Sequence, residues 1–107
     1  MDLKQYQIVL VNLDPTLGSE MKKRRPCVII SPNERNKFLN TIVVAPMTSS
    51  SKSYPTRVDV IHDQKKGSIV LDQIRTVDRQ RIIKILGNLS DKEITKVKLV
   101  LKETFVD

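Results

Sequence analysis

Two short apolar runs, each closed by a proline, most limit what this chain can fold into. The first is Cys27–Ser31, which Pro32 follows at once, and the second is Thr41–Ala45, which Pro46 follows. Helices in globular proteins need about ten residues or more, whereas buried strands commonly take about four to eight. Proline also removes a backbone donor and interrupts regular structure. The two runs therefore predict short buried strands rather than helices.

Similar runs before and after these two extend the strand-like pattern. They are rich in β-branched and apolar residues, and they are Tyr6–Leu13, Arg57–Ile61, Ser68–Leu71 and Ile74–Val77. The stretch His62–Gly67, which separates two of these runs, is hairpin-like. Ile82–Leu86 fits either a strand or a helix. The pattern predicts a small antiparallel β-barrel or sheet.

The end of the chain carries the signature of an amphipathic helix. Ser90 and Glu93 form a capping box, in which the serine hydroxyl accepts from the amide three residues on and the glutamate reaches back. Apolar residues then recur at helical spacing, and they are Ile94, Val97, Leu101 and Phe105. We therefore expect one domain over residues 1–107 that is mainly β, with a C-terminal helix.

The balance of charge points to an anionic partner. Lys and Arg number 19 and Asp and Glu number 12, so the formal net charge is +7 and the pI is near 9.8. Nucleic acid or an acidic protein would suit such a chain. A single cysteine excludes an internal disulfide framework and favours the reducing cytoplasm. No apolar run approaches the roughly 18–20 residues of a membrane span, so we expect no membrane association.

Two long connections between the early strands are candidate functional loops. One includes the basic run Lys22–Arg25, and the other includes the hydroxyl-rich run Thr48–Ser51. The first could hold phosphates by charge or be a solvated loop, and the second could bind a phosphate or a base edge or be a plain polar loop. Arg25 differs from its basic neighbours, because Pro26 and an apolar run follow it at once. We therefore place Arg25 at the mouth of a strand.

Metal and cofactor chemistry lack their usual residues in this sequence. There is no His-x-His pair, no second cysteine and no dense carboxylate cluster, so we expect no metal site. Three glycines are present, and the usual glycine-rich phosphate-binding motifs are missing, so we expect no cofactor. His62 is expected on the surface of a turn, and Cys27 is expected in the core.

Four segments together resemble the MazF/PemK family of toxin endoribonucleases from bacterial toxin–antitoxin pairs. They are Val11–Glu20 (VNLDPTLGSE), Arg25–Pro32 (RPCVIISP), Val44–Ser49 (VAPMTS) and Val70–Asp78 (VLDQIRTVD). Each segment alone is a weak signal. Four of them in the family's order, in a chain of the right length, make a specific match.

The resemblance implies an SH3-like barrel built on a twisted antiparallel sheet and assembled as a homodimer. It implies a cytoplasmic ribonuclease that cuts single-stranded RNA, commonly mRNA, at a short sequence without a metal or cofactor and so inhibits translation and growth. It also implies a MazE-like antitoxin whose acidic, partly disordered tail occupies the RNA groove. DNA would be contacted only indirectly, through the complex with the antitoxin.

The family's functional residues map onto particular positions of this chain. The arginine of the Arg-Pro motif and the threonine of the Pro-x-Thr motif, which are central to cleavage in the family, are Arg25 and Thr48. Glu20 matches a position implicated in some relatives and is the candidate general base. The candidate RNA contacts are Lys23, Arg24, Ser49, Ser51, Lys52, Asp72 and Gln73, with Asn36, Lys37 and Tyr54 as further candidates. Val70 stands where some relatives carry an arginine, so their catalytic division of labour does not transfer.

Two other functions remain open on the sequence alone. A toxin of the related CcdB type would share the fold but bind DNA gyrase and perform no chemistry; the pair Arg25 and Thr48 argues against it. A non-catalytic nucleic-acid-binding barrel would also suit the basic charge. Cleavage of naked RNA by the purified protein separates a nuclease from both alternatives.

Overall fold

A curled antiparallel sheet with a helix packed on one face forms the body of the protein. The computed structural model describes residues 1–13, 24–49 and 54–106. Within these ranges the strands are β1 (Gln7–Asn12), β2 (Arg24–Ile29), β3 (Thr41–Thr48), β4 (Arg57–His62), β5 (Lys65–Val70), β6 (Arg75–Asp78) and β7 (Ile82–Asn88). The α-helices are α1 (Asn33–Phe38) and α2 (Asp91–Phe105), and short 3₁₀ turns occupy Leu71–Gln73 and Arg79–Arg81. The expected mainly β architecture with a C-terminal helix is confirmed.

The strands expected from the apolar runs are present, and several extend beyond those runs. Ile82–Leu86, which fitted either element, is part of strand β7. Strand β2 begins as early as Arg24, because its first residues pair with the end of β1. Strand β5 begins as early as Lys65, because the turn from β4 takes only Asp63 and Gln64. The positive φ angles of these two residues, 54° and 63°, are typical of a two-residue hairpin turn.

The central strand β3 changes its partner halfway along. The sheet order is β4-β5-β3-β2-β1-β7, and β6 pairs with β3 off this path. Residues 41–44 of β3 pair with β6, whereas Met47 and Thr48 pair with β5. The carbonyl oxygen of Val43 accepts from the backbone N–H of Ile30, the residue that follows β2, so the backbone of Val43 faces the β2 side. Strand alternation then turns the backbone of Pro46 away from β2, toward the point between β6 and β5. A proline is tolerated there because no ladder donor is lost.

Both faces of the sheet carry a hydrophobic cluster. Ile8 and Val28 belong to the cluster packed against α2, whereas Val9 and Cys27 belong to the cluster on the opposite face. This division follows from the two-residue period of a strand. Arg25 precedes Cys27 by two residues in β2 and therefore projects from the face that α2 does not cover.

Helix α2 begins at the expected capping box and packs an apolar stripe on the sheet. Val97 is fully buried, and Ile94 and Leu101 are partly buried against the same cluster. Phe105 does not belong to the buried part of the stripe, since it is 56% exposed. The cluster has no member beyond Leu101, so the last turn of the helix extends past it.

Glu93 ties the start of α2 to the edge strand β4. One carboxylate oxygen accepts from the backbone N–H of Ser90 at 2.8 Å and completes the capping box. The other accepts from the backbone N–H of Ile61 at 3.0 Å. Strand β4 is an edge strand of the sheet. The carboxylate of Glu93 therefore binds a backbone N–H that has no neighbouring strand to pair with.

We expect Glu93→Ala to lower the free energy of unfolding by about 1–3 kcal/mol, because two backbone donors lose a charged acceptor. Urea denaturation of the two proteins measures the difference. The matched control is Glu103→Ala, which removes an exposed glutamate of the same helix and should change stability by less than about 0.5 kcal/mol. Equal losses in both variants would contradict a specific role for Glu93.

The short helix α1 was not expected from the sequence, and a buried polar network fixes it. Asn36 is 1% exposed, donates to the carbonyl oxygen of Ser31 at 2.9 Å and accepts from the Ser31 hydroxyl. The Ser31 hydroxyl also accepts from the backbone N–H of Val43 at 3.1 Å. Burial and these bonds contradict the expectation that Asn36 contacts RNA, because its amide is already engaged inside the protein.

Candidate active site

The register of the sheet brings Arg25 and Thr48 together. The pairs between β2 and β3 run from Ile29 opposite Val44 to Cys27 opposite Pro46. The paired residues end there, and the same register continued by two residues would bring Arg25 opposite Thr48. Opposite residues of antiparallel strands project from the same face, with Cβ atoms about 4.5–5.5 Å apart. Two residues that are 23 positions apart in the sequence (25 and 48) thus become neighbours at one end of the sheet.

The ends of β2 to β5 surround an open cleft of about 350 Å³ at this place. Its described lining residues are Arg24, Arg25, Pro26, Met47, Thr48, Ser49, Val60, His62, Lys65, Lys66 and Gly67. Four of these side chains are cationic, and none of the described ones is acidic. A cleft lined by one sign of charge concentrates ligands of the opposite sign. The geometry therefore suits an anion such as a phosphate group.

The guanidinium of Arg25 is accessible to such a ligand. Arg25 is exposed, and in the described part of the chain no carboxylate lies within ion-pair distance of its side chain. A guanidinium keeps its charge at all physiological pH values and presents parallel donors that match two phosphate oxygens. Arg25 also lies within β2, as expected from its place before Pro26, so the strand fixes the position of its backbone.

A second cleft, of about 690 Å³, adjoins the first between the edge strand β4 and the start of α2. The two share four lining residues, which are Ser49, Val60, Lys66 and Gly67. The second cleft also contains Asp59 and Glu93, so its described lining carries both signs of charge. The described lining of the first cleft is therefore uniformly basic, whereas that of the second cleft is mixed.

Gly67 allows strand β5 to approach Thr48 closely. A Cβ atom at position 67 would lie 2.8 Å from the carbonyl oxygen of Thr48, a distance that Cβ atoms essentially never show. The obstructing atom belongs to the backbone, so it has no flexible side chain that could move aside. A glycine at position 67 therefore keeps β5 tight against the end of β3.

His62 lies in the cleft and not in a surface turn, which corrects the expectation from the sequence. It is the last residue of β4, it is half-buried, and it lines the basic cleft. Its ring packs over Gly87 of β7, where an added Cβ would lie 3.0 Å from the ring atom Cε1. The two-residue turn begins only at the next position, so the strand holds His62 in place.

Cys27 is a core residue, as expected. Its side chain is fully buried, and burial raises the pKa of the thiol to about 12, although the charges of Arg25 and Arg75 oppose this shift. The sulfur therefore stays protonated at neutral pH, and only a thiolate is a strong nucleophile. The thiol donates to the carbonyl oxygen of Arg25 at 3.6 Å.

The other candidate residues fall into three groups. Arg24 and Ser49 line the cleft together with Arg25 and Thr48. Asp72 and Gln73 are exposed in the 3₁₀ turn after β5 and are not among the residues that line either cleft. The candidates outside the described residues are Glu20, Lys23, Ser51 and Lys52, whereas the further candidates Lys37 and Tyr54 are exposed and, like Asp72 and Gln73, are not among the residues that line either cleft.

Sequence reasoning missed the contribution of β4 and β5 to this site. Lys65, Lys66 and Gly67 were assigned to a hairpin connection, although they belong to the strand that borders the cleft. The signal that could have found them is the glycine that follows two lysines directly before an apolar run. A glycine at the start of a strand often marks a close approach of another backbone or of a ligand.

The described residues contain neither a metal-binding cluster nor a membrane-spanning helix. No three or more His, Cys, Asp or Glu side chains in these ranges are placed to share a metal ion. In the same ranges no helix has the length and apolar character to cross a membrane.

Solved structures share this fold. The crystal structure of MazF (Form-I) from Deinococcus radiodurans matches with a TM-score of 0.80 at 25% identity, over 97% of this chain and 96% of that one. A MazE–MazF structure (Form-II) from the same organism matches with a TM-score of 0.81 at 25% identity and the same coverage. The curled sheet and the C-terminal helix are therefore those of MazF structures.

The sequence itself matches a family over almost its whole length. Residues 4–105 match the family of PemK-like, MazF-like toxins of type II toxin–antitoxin systems. The chain is also 35% identical over 101 residues to the endoribonuclease MazF of Staphylococcus saprophyticus, which covers 89% of this chain and 84% of that protein. This chain therefore belongs to the PemK-like, MazF-like toxins, and the enzyme class expected from its sequence, an endoribonuclease of this family, is confirmed.

Proposed function

We propose that this chain is the toxin of a toxin–antitoxin pair that cuts single-stranded RNA at a short specific sequence. The reaction is attack by a 2′-hydroxyl on the adjacent phosphate, and it needs no metal ion. The observation that carries this proposal is that Arg25 and Thr48 line the same cleft, whose described lining includes four cations and no acid. Cleavage of mRNA in the cytoplasm would stop translation and growth.

The chemistry assigns a role to each member of this pair. The 2′-oxygen forms a bond to phosphorus and loses its proton, while the bond from phosphorus to the 5′-oxygen breaks and that oxygen takes up a proton. Negative charge accumulates on the non-bridging oxygens in between. Arg25 stabilises this charge with its forked donors and assists protonation of the leaving oxygen. Thr48 donates one further hydrogen bond to the same phosphate.

Glu20 completes the proposed reaction as the general base. It lies five residues before Arg25 in the sequence, and a carboxylate can accept the proton of the 2′-hydroxyl. Flanking nucleotides are held by hydrogen bonds and charge, since aromatic residues make up only 4% of the chain. The proposed contacts are Lys23, Arg24, Ser49, Ser51, Lys52, Asp72 and Gln73.

The same basic cleft suits a protein inhibitor. The net charge of +7 and the four cations of the cleft favour an acidic segment, so we propose a MazE-like antitoxin whose disordered acidic tail competes with RNA. The solved MazE–MazF assembly of Deinococcus radiodurans supports a partner of this kind. We further propose that the chain acts as a homodimer and meets DNA only through the antitoxin complex.

The test of this function is incubation of a long single-stranded RNA with the purified protein in excess EDTA. Discrete fragments are expected, and sequencing of the new ends would give the recognition sequence. EDTA removes divalent ions, so cleavage in its presence would establish that the reaction is independent of such ions. Intact RNA, with folding verified by circular dichroism, would overturn the proposal in favour of a gyrase-binding toxin or a barrel that only binds nucleic acid.

A further inference from the structure

Ser68 of strand β5 carries a buried hydroxyl group to which the described residues supply no hydrogen-bond partner. The residue is 2% exposed, and among the described residues its Oγ is the one buried side-chain polar atom that lacks a hydrogen bond. Such groups are rare in folded proteins because they lose their bonds to water and gain nothing in return. The Ser68 hydroxyl therefore does not stabilise the free protein, and we look for its role in the function of the site.

The second buried serine of the described chain, Ser31, has a hydroxyl group that does form hydrogen bonds. Ser31 is 3% exposed, and its hydroxyl donates to Asn36 and accepts from the backbone N–H of Val43. The proton and one lone pair of that group are therefore in use. The fold therefore does not leave every buried serine hydroxyl without a hydrogen bond, and the lack of one at Ser68 is specific to that position.

Ser68 stands beside the two residues that define the site. It pairs directly with Thr48 in the β3–β5 ladder, and the β2–β3 register puts Arg25 on the other side of Thr48. Arg25, Thr48 and Ser68 thus form one row across three strands, on the face that α2 leaves uncovered. Directly opposite residues have Cβ atoms about 4.5–5.5 Å apart, which two short hydroxyl side chains can span with one hydrogen bond.

We propose that Ser68 is a positioning residue for Thr48 during RNA cleavage, an inference that rests on the proposed function. A hydroxyl group has one proton to donate and two lone pairs that accept. When the phosphate is bound, Ser68 donates to Oγ1 of Thr48, and Thr48 directs its own proton to a phosphate oxygen. Ser68 thereby fixes the direction in which Thr48 donates, and chains of this kind strengthen each bond.

Gly67 supports this arrangement from the backbone. Because no Cβ intervenes between position 67 and the carbonyl oxygen of Thr48, the strand that carries Ser68 lies close to β3. Ser68 does not itself touch the RNA in this scheme, which agrees with the burial of its hydroxyl. Its effect should therefore appear in the rate of the chemical step and not in the affinity for RNA.

The first test compares Ser68→Ala with the wild type in single-turnover cleavage. The saturating rate should fall about 3- to 10-fold, the value of one neutral hydrogen bond, while the enzyme concentration for half-maximal rate stays the same. The midpoint of urea unfolding should be unchanged or higher, since an unpaired buried group is lost. Ser31→Ala is the matched control, and it should lower the unfolding midpoint while the folded protein keeps its rate.

The second test is a double-mutant cycle with Thr48→Ala. If Ser68 acts through Thr48, adding Ser68→Ala to Thr48→Ala should cause no further loss of rate. A wild-type rate in the single variant Ser68→Ala, or the same fold-loss in both backgrounds, would overturn the inference. Failure of the wild type itself to cut RNA would instead overturn the proposed function, so the two failures are distinguishable.

Discussion

Replacement of Arg25 by alanine is expected to lower the single-turnover rate of RNA cleavage by about 10²–10³-fold. This is the usual effect of removing one well-aimed donor from a site that stabilises developing negative charge. Two features put Arg25 in that role. Its guanidinium has no carboxylate partner in the described part of the chain, and it lines the same cleft as Thr48. Rapid-quench assays at saturating enzyme measure the rate without the contribution of product release.

The fold should survive this substitution. Arg25 is exposed, and exposed substitutions away from special features usually change stability by less than about 0.5 kcal/mol. Thermal unfolding of Arg25→Ala should therefore match that of the wild type. Arg25→Lys should recover only part of the lost rate, because an ammonium group keeps the charge but not the forked pair of donors.

Arg24→Ala is the matched control for this experiment. Arg24 precedes Arg25 in the same strand, is also exposed and also lines the cleft, but strand alternation points it to the other face. We expect this variant to weaken RNA binding and to reduce the slope of log K against log salt by about one. Its rate at saturation should stay within a few-fold of the wild type. Equal losses of saturating rate in the two variants would show that only the charge of the basic run matters.

Turn-forming residues predicted some element boundaries and missed others, since Pro46, which was expected to close a strand, lies inside β3. Pro32 and the capping box of Ser90 lie where the structure ends or begins elements. Strand lengths were less predictable, since they depend on partners far away in the sequence. Strand β2 gains Arg24 and Arg25 because residues of β1 pair with them. Helix α1 was not predicted, because Asn36, the side chain that fixes it, forms its hydrogen bonds with Ser31 only in the folded chain.

The resemblance to a family identified Arg25 and Thr48, whereas their geometry required the sheet. The local sequence does not predict that residues 25 and 48 lie close together, because their proximity depends on the register of two strands. The same holds for His62, which the β4–β5 hairpin brings into the cleft, and for Ser68, which pairs with Thr48. An isolated serine or histidine gives no signal of its own, so Ser68 was not predicted and His62 was expected on the surface of a turn.

A single 2′-deoxynucleotide on the 5′ side of the scissile phosphate is expected to abolish cleavage at that bond. The proposed nucleophile is the 2′-hydroxyl of that nucleotide, held next to phosphorus by the chain itself. Intramolecular reactants of this kind can have effective concentrations on the order of 10⁵–10⁸ M, so an external hydroxyl cannot replace the missing group. The substrate is made after the cut site has been mapped with all-RNA, and gel electrophoresis of end-labelled strands measures the loss.

The position of the substitution and the identity of the new ends make this result specific. A 2′-deoxynucleotide one position further toward the 3′ end lacks a hydroxyl that takes no part in the attack, so that strand should still be cut. The products of the all-RNA strand should end in 2′,3′-cyclic phosphate and 5′-hydroxyl groups, as mass spectrometry would show, because the attacking oxygen stays bonded to phosphorus when the 5′-oxygen leaves. Cleavage of the first deoxy strand at the same bond, or of an all-DNA strand, would require an external nucleophile, and Arg25 and Thr48 would then be stabilising a different attack on the same phosphate.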